Sequence, residues 1–303
     1  MRAPIFRLRA VDQVIELGAR PMLMGIINAS PDSFSDGGLH ASRAEQLALA
    51  SELLAAGADI VDIGGESAST GRPPVGVEEE IELVVPLVEA VVGELGALVS
   101  VDTYKPSVAR AAIAAGARIV NDVSGLRDVG LAEVCAQTGA ALVLMHTRAS
   151  PRQRLQDPDL YDDVTAEVVA FLRERIALAT SLGVDPEQLI LDPGPDFAKT
   201  PAQTIRLLSE VEDLHALQRP LLMAVSRKDF IGALLGRPPQ ERLAGTLAAL
   251  AHGVLAGAHI FRIHDVRAAA DFLAVRSALC GELEPSRDLA LVEEMRYDRL
   301  SAE

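Results

Sequence analysis

Residues 97–125, ALVSVDTYKPSVARAAIAAGARIVNDVSG, decide the fold. An apolar run from Leu98 to Val101 changes to Asp102, and a second apolar run, Ile119 to Val120, changes to Asn121 and Asp122. Each run is too short for a helix and reads as a strand. Between them Val108, Ala112 and Ala115 recur at helical spacing, with Lys105-Pro106 at the start and Gly116 where a C-cap glycine belongs. Two strands joined by one short helix must be parallel, so both finish in a polar side chain at the same end of a sheet. Chemistry belongs at that end.

The unit recurs in both directions. Apolar runs at Met22 to Ile27, Ile60 to Ile63, Ala141 to Met145, Leu189 to Leu191, Leu221 to Val225 and Ile260 to Ile263 join the two above to make eight. Helical segments over 44–56, 78–92, 162–182, 202–217 and 240–256 lie between them. Eight alternating units in 303 residues predict an α/β fold, a (β/α)8 TIM barrel, with a doubly wound open sheet as the alternative. No linker divides the series, so 1–303 reads as one domain, with a hairpin over 1–20 and a tail over 281–303. Asn28, Asp62, Asp102, Asn121, His146, Asp192, Ser226 and His264 each close an apolar run, and in a barrel they would ring one mouth.

A formal charge of −15 excludes a general nucleic-acid or anionic-membrane binder, so an anionic ligand needs a local basic cluster. The first residues lack an apolar core of signal-peptide length, and no later stretch is a charge-free membrane span, which predicts a cytoplasmic protein. Cys135 and Cys280 read as buried, inert thiols. The only lysines, Lys105, Lys199 and Lys228, all follow a strand's polar end, where a compact charge can reach a ligand. The apolar stretch Leu243 to Ala256 suits a buried barrel helix, with a homodimer face as the alternative.

The strand ends carry the chemistry. Asn28 opens an eleven-residue loop rich in Ser, Asp and Gly, longer than a cap requires. Asp62 leads into a second polar loop carrying Arg72, which suits a lid over phosphate. Asp192 must be paired or shifted in pKa if buried, and its natural partners are ligand N–H groups or the Lys228 ammonium. Arg262 and His264 precede Asp265, which reads as the N-cap of the last helix, so they form an anion grip after the eighth strand. Two carboxylates, an amide, a lysine and an Arg/His pair suit a planar nitrogen heterocycle bearing a phosphate leaving group.

At these residues the chain resembles the dihydropteroate synthase family along nearly its whole length. The matching motifs are GIINASPDSFSDGG, DIVDIGGES, VSVDTYKP, IVNDVSG, LVLMH, ILDPG, SRKDFIG, ERLAGTLAAL and FRIHDV. The resemblance implies a TIM-barrel transferase that joins 6-hydroxymethyl-dihydropterin pyrophosphate to p-aminobenzoate in folate synthesis, releasing pyrophosphate. It assigns Asp102, Asn121, Asp192 and Lys228 to the pterin ring, with Met145 against its face. Asp102, Asp192 and Lys228 would carry catalysis. Asn28 would meet Mg2+ on the pyrophosphate, which Arg262, His264 and Arg72 would grip. Phe34, Asp36 and Phe197 would help build the p-aminobenzoate pocket. Asp229 stands where the family has a serine receiving the p-aminobenzoate carboxylate, Asp196 replaces a glycine, and ESASTGRPP lengthens the second loop. Two carboxylates ~4 Å apart repel by about 4 kcal/mol at an effective dielectric near 20. Either Asp229 turns away, or the second substrate differs or is absent. The alternatives are a pterin-binding paralogue that makes no dihydropteroate, or a module similar to methyltetrahydrofolate-dependent methyltransferases.

Overall fold

The computed structural model describes residues 3–29, 42–66 and 74–296. In chain order the elements are β1 (Phe6–Ala10), β2 (Gln13–Leu17), β3 (Met22–Asn28), α1 (Arg43–Ala55), β4 (Ile60–Gly64), α2 (Val77–Leu95), β5 (Leu98–Asp102), α3 (Pro106–Ala114), β6 (Ile119–Asp122) and α4 (Gly130–Thr138). There follow β7 (Ala141–Met145), α5 (Val164–Ser181), β8 (Leu189–Asp192), α6 (Pro201–Ser209), β9 (Leu222–Met223), α7 (Asp229–Leu235), α8 (Leu243–Leu255), β10 (Ile260–Ile263) and α9 (Val266–Leu279).

Strands β3 to β10 form one parallel sheet in the order β8-β7-β6-β5-β4-β3-β10-β9, and a parallel bridge from Leu191 to Leu221 joins its two edges. The predicted (β/α)8 barrel is therefore present. Alternate residues face opposite ways along each strand. Leu23 and Val120 pack outward against the helices, whereas Met24, Ile60, Ile119, Val143, Ile190 and Ile260 share the inner core. The antiparallel hairpin of β1 and β2 adds Leu8, Ala10 and Leu17 to that inner core. It plugs the barrel end opposite the strand C-termini. Leu8 and Leu17 are each 1% exposed, and burying a leucine of this kind stabilises by roughly 1.5–3 kcal/mol.

The register aligns the chemistry. Asn28 lies beside Gly64, Gly64 beside Asp102, Asp102 beside Asn121, and Met145 beside Asp192, all at one rim.

Three expectations need correction. The seventh barrel strand spans only Leu222–Met223 rather than Leu221 to Val225, because the chain departs into the irregular segment that carries Ser226 and Arg227, the latter at φ 56°. The segment 202–217 is not one helix: Glu210, at φ −119°, leaves the helical region and Val211–Leu217 continues as 3-10 turns. Cys280 is exposed at the C-cap of α9, while Cys135 is buried, its thiol pushed up to about 12 by desolvation. Among the described residues no helix is long and apolar enough to cross a membrane.

Candidate active site

Side chains of four strands meet in one hydrogen-bonded chain. The Asp62 Oδ2, from the middle of β4, accepts from Asn121 Nδ2 at 3.1 Å and from Arg262 Nε at 2.6 Å. A second Arg262 nitrogen donates to Asp102 Oδ2 at 2.8 Å. Asp62 is fully buried, and a buried carboxylate requires such partners. Its Oδ1 has no hydrogen-bond partner among the described residues. Desolvation pushes the Asp102 carboxyl up to about 7; Arg262 pulls it down, and Asp62 and Glu80 push it further up. The anion grip expected of Arg262 is thus turned partly inward, with two of its five N–H groups committed to aspartates. His264 is exposed beside it, its Nδ1 2.9 Å from Ser226 Oγ. Asp265 sits at the N-cap position of α9, but its carboxylate pairs with Arg227 instead of capping the helix.

Asp192 is buried at the end of β8, and its Oδ1 accepts the Gly194 N–H at 2.7 Å. Burial pushes its carboxyl up, opposed by that hydrogen bond and by Lys228, Lys199 and Arg262. A local backbone donor therefore takes the place expected for Lys228. The Lys228 ammonium lies 4.6 Å from the centre of the Phe197 ring. Burial pushes it down, against the attraction of Asp196 and Asp192.

A cavity of about 350 Å³ adjoins this cluster, with Asp102, Phe197, Lys228, Asp196 and Asp229 in its lining; Asn121, Asp192, Met145, Arg262 and His264 do not line it. Asp229 begins α7, and its carboxylate pairs with Arg242 at 3.2 Å, while its N–H donates to Asp196 Oδ2 at 2.5 Å. Of the alternatives for Asp229, the side chain is thus turned to a cationic partner. One wall of the cavity hangs on Glu66, whose carboxylate binds Lys105 at 2.8 Å, Tyr104 at 2.8 Å and Arg152 at 2.9 Å. Two rim loops, after β5 and after β7, converge on that one side chain.

Of the three lysines expected to face a ligand, only Lys228 lines the cavity. Lys105 is consumed by Glu66 and Glu80, and Lys199 is wholly buried against His146 and two backbone carbonyls. Asn28 is exposed at the rim, and Met145 is buried where β7 meets Asp192. Phe34, Asp36 and Arg72 lie outside the described residues. The reading from sequence missed Asp62 as the hub of this cluster, although its place after an apolar run signalled it. Nothing in the sequence pointed to Arg152, which arrives from the loop after β7; Arg242 lies inside the motif ERLAGTLAAL but was given no role.

A parallel barrel with paired carboxylates, an amide and cationic groups at its C-terminal rim is a site for a flat, polar heterocycle. The chain belongs to the pterin-binding enzyme family, whose model matches residues 24–264. Relatives within that family include dihydropteroate synthases. It is 41% identical over 269 residues to the dihydropteroate synthase of Escherichia coli (strain K12), covering 89% of this chain and 95% of that one. The Xanthomonas albilineans dihydropteroate synthase with 4-aminobenzoic acid is 42% identical, with a TM-score of 0.84 over 91% of this chain and 99% of that one. The same organism's enzyme in complex with 7,8-dihydropteroate is 41% identical, with a TM-score of 0.80 over 90% and 98%.

Proposed function

We propose that this protein is a transferase that joins 6-hydroxymethyl-7,8-dihydropterin pyrophosphate to p-aminobenzoate, releasing pyrophosphate and forming dihydropteroate. The observation that carries this reading is the hydrogen-bonded chain Asn121–Asp62–Arg262–Asp102, whose last member lines a cavity together with Lys228 and Phe197.

In this reading Asp102, Asn121 and Asp192 face the donors and acceptors of the pterin, Met145 lies against its face, and Lys228 adds a cation at its edge. When the C–O bond to pyrophosphate breaks, its electron pair leaves with the diphosphate and the pterin methylene becomes cationic. Asp102 and Asp192 lower the energy of that cation, and the remaining N–H groups of Arg262, with His264 and Arg72, oppose the charge on the leaving group. The amine of p-aminobenzoate, held beside Phe197, attacks the methylene carbon. Its proton passes to pyrophosphate or water, so no protein base is required. Asn28, exposed at the rim, would hold Mg2+ through its amide oxygen, the kind of hard donor this ion takes. Bound there, the ion would neutralise charge on the diphosphate.

A cytoplasmic setting accords with two unpaired cysteines. Leu234 and Leu235 on α7 and Leu255 on α8 are exposed, which supports pairing with a second copy of the chain. The test is to supply both substrates with Mg2+ and follow pyrophosphate and dihydropteroate together. Tight pterin binding without product would overturn the proposal.

A further inference from the structure

The turn after β8 is held against its own backbone preference. Gly194, Asp196 and Ala198 all adopt left-handed conformations, at φ 67°, 67° and 52°, and two of them are not glycine. Such residues persist only where their surroundings over-determine them. Directly beneath lies Lys199, with no solvent exposure. Its Nζ sits 2.9 Å from Gly194 O, 3.1 Å from Phe197 O and 2.8 Å from His146 Nδ1. The ammonium thus bridges the turn from Gly194 to Phe197. Two further contacts hold it: Thr204 Oγ1 accepts the Asp196 N–H at 3.1 Å, and the Tyr161 hydroxyl donates to Ala198 O at 2.9 Å.

What the turn presents is the acceptor side of the cavity. Phe197 lies under the Lys228 ammonium, and Asp196 takes the Asp229 N–H. We propose that Lys199 is a positioning residue for the arylamine substrate: its buried side chain clamps the strained turn 194–198 and thereby sets Phe197 and Asp196 on the cavity wall. This rests on the function proposed above, from which the amine inherits its place beside Phe197.

The clamp suits conditions on both sides of neutrality. Burial brings Lys199 down to about 7, with Asp192 and Asp196 raising it and Lys228 lowering it, while His146 is held neutral down to about 2. As an ammonium, Lys199 donates to all three neighbours. As an amine it keeps both carbonyls and accepts from the other tautomer of His146.

The experiment compares Lys199→Met with the double variant Lys199→Met/Ala198→Gly. Losing a charge-assisted hydrogen bond predicts a rise of about tenfold in the KM for p-aminobenzoate, with pterin-pyrophosphate affinity changed less than threefold. Glycine accepts a left-handed φ without strain, so the double variant recovers most of that KM. An unchanged KM, an equal loss of pterin affinity, or no recovery with glycine overturns the assignment. Should Lys199→Met not fold, Tyr161→Phe releases the same turn from its other anchor and must raise the same KM; no rise refutes the clamp. Hydrogen exchange of the amides of 194–198 reads the turn without catalysis. Faster exchange in Lys199→Met alongside a wild type that forms no dihydropteroate would retain the clamp and reject the function; unchanged exchange would reject the clamp.

Discussion

Replacing Arg262 by methionine removes the one guanidinium shared by Asp62 and Asp102, at 2.6 and 2.8 Å. The consequence depends on pH in a direction that the structure dictates. Asp102 carries a folded-state value of about 7, above the ~3.9 of an unfolded aspartate. Between those values the unfolded chain is ionised while the folded one keeps its proton, so this group lowers stability by about 1.4 kcal/mol per pH unit as pH rises. Above about 7 its contribution levels off in the wild type. Arg262 is what pulls the value down, so in Arg262→Met it rises and the decline continues past pH 7. At pH 5 Asp102 is already protonated, so only Asp62 loses a countercharge and the penalty is the smaller one. At pH 8 both carboxylates lose their countercharge, and breaking a buried pair costs about 3–5 kcal/mol. Urea unfolding of both proteins at pH 5 and 8 measures the difference, in which the other titrating groups cancel. A penalty equal at the two pH values, or larger at pH 5, would refute the reasoning.

Three further outcomes are expected. Lys228→Ala weakens pterin binding by at least about tenfold in calorimetric titration, the loss of one ligand-facing cation, and unaltered affinity removes Lys228 from the site. Asp229→Ser lowers the KM for p-aminobenzoate, because it removes a carboxylate from the acceptor side of the cavity; an unchanged or higher KM shows that pairing with Arg242 already neutralises it. Gly194→Ala places a Cβ 2.1 Å from the His146 carbonyl oxygen at φ 67°, and destabilises by about 2 kcal/mol or more; a wild-type urea midpoint contradicts this.

The resemblance carried by motifs such as ILDPG and SRKDFIG was enough to place Asp102, Asn121, Asp192 and Lys228 at one rim, because a parallel strand–helix repeat permits only one arrangement of its strand ends. It was not enough to pair them. The neighbours Asp102 and Asn121 are joined across the mouth by Asp62 and Arg262, whose positions are separated by 200 residues. Lys105 and Lys199 share their local pattern with Lys228, yet each is consumed by an acceptor from its own surroundings.

From sequence alone came the barrel, the hairpin at one end and the set of polar side chains at the other, since alternation, spacing and strand order are local properties of a chain. Which charge neutralises which, which lysine is left for a ligand, and where Asp229 turns were decided only by tertiary structure. Ion pairing depends on distances of a few ångströms between residues far apart in the chain, and desolvation depends on everything packed around them.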